Sequence, residues 1–152
     1  MKVLLTTLNS KYIHTNLALR YLKRTIEDRY DVEIKEFTIN EHNSDILRAV
    51  ITINADVIAF SCYIWNIEQI LKLASDIKKI NKEIKIVLGG PEVSYTAKEI
   101  LEKNKFIDYI ISGEGEEAFP ILIEKISKGE EIANDFSFQI VENLEKIKSP
   151  YE

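Results

Sequence analysis

Strand-like and helix-like segments alternate five times along this chain, and no hairpin turn separates them. Short runs rich in β-branched residues at positions 2–7, 32–37, 56–60, 84–88 and 106–111 predict strands, and amphipathic segments between and after them predict helices. Helices that join parallel strands cover both faces of the sheet. The sequence therefore predicts an open, doubly wound α/β domain whose five-stranded parallel sheet has the flavodoxin-like (Rossmann-like) order 2-1-3-4-5.

The chain has the composition of an ordinary globular protein with a small acidic excess. Its 152 residues are 45% hydrophobic and carry a formal net charge of −5. Because no basic excess is available to neutralise phosphates, we expect no nucleic-acid partner. The apolar run after Met1 is too short for a signal peptide, and no run approaches the roughly 18 apolar residues of a membrane-spanning helix. We therefore expect a cytoplasmic protein without a membrane partner.

Two local features are predicted within this pattern. Asn66 and Gln69 have the spacing of a capping box, so we expect them to begin the third helix. After residue 130 the helical periodicity fades, and residues 136–141 predict one more short strand. The polar stretch that follows is typical of a linker.

The ligand site of an open parallel sheet lies beyond the carboxyl ends of its strands. In this chain the loops at that edge are residues 8–14, 61–65, 89–94 and 112–116. Two of them carry paired glycines, which expose backbone amides and let a ligand approach closely. Aromatic residues in these loops can cover a large flat ligand. The glycine pairs are Gly89-Gly90 and Gly113-x-Gly115, and the aromatic residues are Tyr12, Tyr63, Trp65 and Tyr95.

The familiar ligands of such sheets fit these loops poorly. A Rossmann nucleotide site needs glycines directly after the first strand, where this chain has Thr7-Leu8-Asn9-Ser10-Lys11-Tyr12. A phosphate-accepting receiver domain needs carboxylates at the ends of the first and third strands, which here read Thr6-Thr7-Leu8 and Phe60-Ser61-Cys62. Cys62 is predicted to be a buried packing residue, and we predict no catalytic residue and no metal ligand. With these ligands excluded, the remaining kind of ligand for the loops is a bulky, mostly neutral cofactor.

Three short segments form a recognisable set: GGPE at residues 89–92, GEGE at residues 113–116, and Ser149-Pro150-Tyr151. With their flanking strands they resemble the N-terminal cobalamin-binding domain of cobalamin-dependent radical SAM proteins. That group includes anaerobic magnesium-protoporphyrin monomethyl ester cyclases and many methyltransferases. The resemblance covers residues 2–128 plus the Ser-Pro-Tyr segment. It implies a Rossmann-like domain that binds cobalamin across its strand ends.

The resemblance also implies where each part of the cofactor would lie. The nucleotide tail would enter the crevice near Ser10, Ser61 and Gly89-Gly90. The corrin ring would lie over the loops, near Tyr12, Tyr63, Trp65 and Glu92, with His14 at the lip of the crevice. The full set of predicted cofactor-binding residues is Leu8, Asn9, Ser10, Tyr12, His14, Ser61, Tyr63, Trp65, Gly89, Gly90, Pro91, Glu92, Gly113, Glu114, Gly115 and Glu116.

The chain departs from one cobalamin motif. Domains of the methionine-synthase type carry Asp-x-His-x-x-Gly after the first strand, and the histidine ligates cobalt. Here Lys11 stands at the histidine position and His14 at the glycine position. Because radical SAM relatives often lack the motif as well, the resemblance implies cobalamin bound base-off and histidine-off, with neither its benzimidazole nor a histidine on cobalt.

In this family a second domain binds an iron–sulfur cluster and S-adenosylmethionine through Cys-x-x-x-Cys-x-x-Cys, which a chain with one cysteine does not contain. We therefore expect residues 1–128 to be an accessory cobalamin-binding domain, not an enzyme alone, and residues 129–152 to be a linker. The expected partner is a C-terminal radical SAM domain of the same polypeptide, acting in methyl transfer or in radical cyclisation or rearrangement. Two alternatives remain open: a cofactor-free docking or substrate-recognition domain, and a flavodoxin-like flavin carrier.

Overall fold

The five predicted strands form a single parallel sheet. In the computed structural model, which describes residues 1–11 and 16–136, the strands are β1 (Lys2–Asn9), β2 (Asp31–Thr38), β3 (Val57–Ser61), β4 (Lys85–Gly89) and β5 (Tyr109–Ile110). They lie in the order β2-β1-β3-β4-β5, and each neighbouring pair is parallel. The predicted fold class and strand order are therefore confirmed. Because the order reverses between β1 and β3, their carboxyl ends border the switch point of the sheet.

Helices cover both faces of this sheet, as a doubly wound fold requires. They are α1 (Leu17–Ile26), α2 (Asn43–Ile53), α3 (Ile67–Ile80), α4 (Ala97–Lys103) and α5 (Gly115–Ser127). Helices α1 and α5 bury their apolar stripes in one core layer, and α2, α3 and α4 bury theirs in the other. None of the helices in the described part of the chain is long and apolar enough to cross a membrane.

Strand β1 supplies side chains to both core layers. Val3 and Leu5 pack into the layer of α1 and α5, whereas Leu4 and Leu8 pack into the layer of α2, α3 and α4. The alternation follows from the pleat of a strand, in which successive side chains point to opposite faces. Burying each aliphatic side chain of this size stabilises the fold by about 1.5–3 kcal/mol. The continuous apolar run of β1 is therefore explained by helices on both sides.

Three element boundaries at the carboxyl edge differ from the predictions. Strand β1 continues to Asn9, so Leu8 and Asn9 are strand residues and not loop residues. Strand β5 contains only Tyr109 and Ile110, because a turn closed by the Ile107 N–H and the Asn104 carbonyl (3.1 Å) occupies the preceding residues. Helix α5 begins at Gly115, inside the loop predicted at residues 112–116, with Glu114 in the extended N-cap position. The second half of the GEGE motif is therefore helical.

The chain after α5 pairs with the edge of the sheet. The Ile110 N–H donates to the Asn134 carbonyl (2.8 Å) and the Phe136 N–H donates to the Ile110 carbonyl (2.8 Å), so Asp135 is a parallel bridge partner of Ile110. Ile132 and Phe136 pack against the core layer of α1 and α5. Part of the segment predicted as a linker thus contacts the domain. Of the predicted short strand at 136–141, residues 137–141 lie outside the described residues.

A chain that ends at residue 129 should be less stable than one that ends at residue 136, by about 2 kcal/mol. The shorter chain loses two partly buried apolar side chains, the two backbone bonds to Ile110 and the bond from Asn134 Nδ2 to the Asp108 carbonyl (2.7 Å). Urea denaturation followed by far-UV circular dichroism measures the difference. Asn134→Ala in the longer chain removes only the side-chain bond and should cost about 1 kcal/mol or less. Equal stabilities of the two chains would contradict the prediction.

Candidate binding site at the carboxyl ends of the strands

A cavity of about 580 Å³ lies beyond the carboxyl ends of β3 and β4, between the sheet and helices α1 and α5. This volume is within the range of roughly 300–1,000 Å³ that small-molecule sites occupy. Its walls are largely apolar, with Leu19 and Leu22 on α1, Phe119 on α5, and Ala59 and Val87 on the sheet. The cavity therefore lies at the edge where the sequence places a ligand.

Eight of the predicted cofactor-binding residues line this cavity, and they come from three of the four predicted loops. Tyr12 and His14 lie outside the described residues, and the other predicted residues do not line the cavity. The apolar wall was missed by sequence reasoning, because helical spacing marks Leu19, Leu22 and Phe119 equally well as core residues. The predicted residues in the wall are Ser61, Tyr63, Gly89, Gly90, Pro91, Gly113, Glu114 and Gly115.

Gly90 is required by the fold itself. Its φ of 104° is in the region that favours glycine. A Cβ built there would lie 2.6 Å from the Cys62 carbonyl oxygen and 2.9 Å from the Cys62 nitrogen, both backbone atoms. The Cys62 N–H also donates to the Gly89 carbonyl (2.8 Å). The end of β4 and the loop after β3 therefore approach more closely than any other residue at position 90 would permit.

Gly89 differs from its neighbour, because the fold leaves space at this position. A Cβ at Gly89 would meet only the Ile111 carbonyl oxygen, at 3.9 Å, and its φ is not positive. Gly89 follows Val87 by two residues in β4, so a side chain there would point to the same face, into the cavity. The absence of a side chain at Gly89 therefore keeps part of the cavity open and exposes backbone to a ligand.

Ser61 places a hydroxyl on the same wall. It follows Ala59 by two residues at the end of β3, and both line the cavity. Its carbonyl accepts a hydrogen bond from the Thr7 hydroxyl (2.7 Å), which holds the ends of β1 and β3 together. Within the described part of the chain the Ser61 hydroxyl has no hydrogen-bond partner. It is thus available to a polar group in the cavity.

Ser94 joins the two glycine motifs. Its hydroxyl donates to the Gly90 carbonyl (2.8 Å) and accepts from the Gly113 N–H (3.1 Å). The loop after β4 and the loop after β5 are therefore tied together across the mouth of the cavity. Gly115, at the start of α5, is close to α1, since a Cβ there would lie 3.3 Å from Leu22 Cδ2. Glycine at this position lets the two helices meet.

The acids of the GEGE motif sit at the start of α5. Burial raises the pKa of Glu116, a hydrogen bond with its own backbone lowers it, and the neighbouring Glu114 raises it again. One carboxyl oxygen of Glu116, Oε2, is buried without a hydrogen-bond partner among the described residues. Glu114 lines the cavity and Glu116 directly follows Gly115 in its wall, so negative charge makes this end of the cavity unfavourable for a phosphate. An anionic part of a ligand is better placed near Ser61 and the glycines of β4.

Cys62 is wholly buried, which confirms its predicted role as a packing residue. Burial raises the pKa of its thiol, against the opposing effect of the Gly89 backbone, and the nearby Glu92 raises it further. A thiol in such surroundings stays protonated and is a poor nucleophile. The site therefore offers no cysteine chemistry.

Tyr63 and Trp65 form a stacked aromatic pair beside the cavity. Their ring centroids are 4.6 Å apart and the ring planes are 1° from parallel. Trp65 Nε1 donates to the Leu8 carbonyl (3.1 Å), and the Tyr63 hydroxyl accepts from Asn16 Nδ2 (2.9 Å). Trp65 is 45% exposed, and Tyr95, in the loop after β4, is 97% exposed. The carboxyl edge thus presents a broad aromatic surface to solvent.

Leu8 and Asn9 do not line the cavity. They stabilise the strand end that supports it. The Leu8 side chain is buried in the core layer of α2, α3 and α4, and only its carbonyl reaches the ring pair. Asn9 Nδ2 donates to Glu36 Oε1 (3.0 Å), which also accepts from the Asn16 N–H (2.7 Å). These bonds fix the point at which the chain enters α1.

Comparison with known proteins identifies a family over most of the chain. The family model described as B12 binding domain matches residues 3–123. An uncharacterized methyltransferase from Pyrococcus horikoshii is 27% identical over 128 residues, which are 84% of this chain and 28% of the relative. The cobalamin-dependent radical SAM methyltransferase TokK from Streptomyces tokunonensis is 37% identical over 71 residues, which are 47% of this chain and 10% of that protein.

A solved structure has the same fold. The cobalamin-dependent S-adenosylmethionine radical enzyme OxsB, with aqua-cobalamin and S-adenosylmethionine bound, superposes with a TM-score of 0.72 at 17% sequence identity. The match covers 91% of this chain and 22% of OxsB. The chain therefore spans less than a third of the length of each of these three proteins.

Proposed function

Because this chain belongs to the B12-binding domain family, we propose that it binds cobalamin as an accessory domain of a longer radical SAM enzyme. Family membership confirms the resemblance drawn from GGPE and GEGE, and cobalamin is the cofactor of that family. The lengths of the relatives support the second half of the proposal, since the chain covers 28% and 10% of the two curated relatives. Residues 1–128 are the proposed accessory domain and residues 129–152 the proposed connection to the rest.

The observation that carries the proposal is the open space at Gly89. The cavity is bounded by two apolar helices and by a strand end whose glycine leaves room where a side chain would fill it. The nucleotide tail of cobalamin is long enough to enter such a crevice, and its base would contact Leu19, Leu22 and Phe119. Its polar sugar and phosphate would face the backbone of Gly89-Gly90 and the Ser61 hydroxyl, away from Glu114 and Glu116 at the start of α5.

The corrin ring would then cover the mouth of the cavity, beside Tyr63 and Trp65. Bound cobalamin supplies a cobalt ion that can carry a methyl group or an electron for the rest of the enzyme. The residues of this chain would orient the ring and shield one of its faces from water. Lys11, which aligns with the cobalt-ligating histidine of other cobalamin domains, is exposed. We propose that cobalt has neither the benzimidazole base nor a histidine of this chain as its lower ligand.

The reaction of the whole protein is part of the proposal. A chain with one cysteine does not supply the three cysteines of a radical SAM cluster. We propose that the iron–sulfur cluster and S-adenosylmethionine bind to a C-terminal domain of the same polypeptide. The complete enzyme would transfer a methyl group, as the names of the relatives support, or carry out a radical cyclisation or rearrangement.

Gel filtration of the purified chain with hydroxocobalamin tests the proposal. We expect corrinoid absorbance to co-elute with the protein in about equal amounts at micromolar concentrations. The same experiment with flavin mononucleotide should give no co-elution. Co-elution of the flavin alone would favour the electron-carrier alternative, and co-elution of neither would favour a cofactor-free docking domain.

A further inference from the structure

The stacked pair of Tyr63 and Trp65 lies in an exposed loop, yet hydrogen bonds to other elements fix both rings. The loop between β3 and α3 carries both rings, and Trp65 is nearly half exposed. Each ring is nevertheless hydrogen-bonded to another element, Trp65 to the Leu8 carbonyl and Tyr63 to Asn16. A third side chain, Asn66, follows the pair directly and is completely buried.

Asn66 ties the loop to the ends of two strands. Its Nδ2 donates to the Leu8 carbonyl (3.0 Å) and to the Thr7 hydroxyl (3.2 Å), with the Ser61 carbonyl at 3.4 Å. Its Oδ1 accepts from the Tyr63 N–H (2.8 Å). The Thr7 hydroxyl donates its own proton to the Ser61 carbonyl, so it is free to accept from Asn66. All the hydrogen-bonding groups of this amide are therefore used.

The side chain of Asn66 does not cap α3, the helix that follows it. The side chain makes no capping hydrogen bond to α3, and Gln69 donates to Asn43 Oδ1 (2.7 Å). Asn66 is the N-cap residue and α3 begins after it as predicted, but the side chains of Asn66 and Gln69 do not make the bonds of a capping box. The Asn66 amide points toward the strand ends, where the Leu8 carbonyl accepts both from it and from Trp65 Nε1. One carbonyl thus fixes both the amide and the indole.

We propose that Asn66 is a positioning residue that holds the Tyr63–Trp65 pair in its ligand-ready arrangement at the mouth of the cavity. The proposal rests on the proposed function, in which the corrin ring lies beside this pair. A ring pair that is already ordered loses little conformational entropy when a ligand covers it. Removing the amide would free the loop while leaving the cavity walls of α1, α5 and β4 in place.

The single tryptophan of the chain makes the test direct, because all tryptophan fluorescence comes from Trp65. We would compare Asn66→Ala and Asn66→Asp with the wild-type chain. The aspartate keeps the size of the side chain and can accept from the Tyr63 N–H, but it cannot donate to the Leu8 carbonyl. Gln69→Ala is the matched control, since it removes an amide from the first turn of the same helix whose hydrogen bond goes to Asn43 on α2 and not to either ring.

Without any corrinoid, both Asn66 variants should increase acrylamide quenching of Trp65 about twofold and weaken the near-UV circular dichroism of the ring pair. Both should weaken hydroxocobalamin binding about tenfold. Gln69→Ala should match the wild type in all three measurements. If the wild-type chain binds no hydroxocobalamin, the proposed function fails, whereas the fluorescence of the free chain still reports whether Asn66 orders the rings.

Three results would overturn the proposal. The first is wild-type quenching and near-UV signal in folded Asn66 variants. The second is disordered rings with unchanged hydroxocobalamin affinity, which would show that ring order does not matter to the ligand. The third is loss of far-UV signal in both variants, because Asn66 would then hold the sheet together and not the ring pair.

Discussion

Replacing Gly89 with leucine should abolish hydroxocobalamin binding, with at least a hundredfold loss of affinity, and leave the domain folded. The leucine side chain would enter the cavity, because a Cβ at this position meets only the Ile111 carbonyl oxygen at 3.9 Å. Its φ is not positive, so a larger residue adds no backbone strain. A ligand that fills the same space would clash with the new side chain. Isothermal titration calorimetry with hydroxocobalamin measures the loss.

Gly89→Ala is the matched control for this substitution. One methyl group fills far less of the cavity than leucine, so the loss of affinity should be about tenfold or less. Thermal unfolding of both variants should remain close to that of the wild type, which separates a blocked cavity from a damaged fold. Binding by the leucine variant within about threefold of the wild type would place the ligand outside this cavity.

Gly90→Ala should destabilise the domain by about 3 kcal/mol or more. Two costs add at this position. A non-glycine residue at a φ of 104° costs about 1 kcal/mol or more, and the new Cβ would lie 2.6 Å from the Cys62 carbonyl oxygen. Because the contacting atoms are backbone, the end of β4 must move away from the loop after β3. Urea denaturation gives the change in the free energy of unfolding.

Gly129→Ala measures the first of these costs, the backbone conformation, without the second. Gly129 also has a positive φ, 68°, but nothing lies within 4 Å of a Cβ built there. Its replacement should cost about 1 kcal/mol, from the backbone conformation alone. The difference between the two variants measures the close approach of Gly90 to Cys62. Equal losses would show that this approach is not tight in solution.

The fold could be predicted from the sequence because its signals are local. Each strand is a short apolar run and each helix has its own apolar stripe, so the alternation implies parallel pairing. The boundaries of the last strand and the last helix were less well predicted. Strand β5 has two residues because the turn before Tyr109 competes with it, and α5 begins early because Glu114 takes the N-cap position.

The site was predicted only in part, because residue types at the strand ends are local signals and long-range hydrogen bonds are not. Glycines and aromatic residues at the strand ends are visible in the sequence, and Gly89, Gly90 and Tyr63 do line the cavity. The sequence does not show which distant residues a polar side chain will hydrogen-bond. Asn66 has the spacing of a capping residue, yet it bonds to Leu8, 58 residues away in the chain. Asn9 likewise bonds to Glu36 on β2.

We propose that the cavity between α1, α5 and the end of β4 holds the nucleotide tail of cobalamin. A crystal structure of the whole chain with hydroxocobalamin tests it most directly. We predict electron density for the tail against Gly89, Ser61 and Phe119, with the corrin ring at the mouth beside Tyr63 and Trp65. A corrinoid bound elsewhere on the surface, with this cavity filled only by water, would contradict this placement of the cofactor.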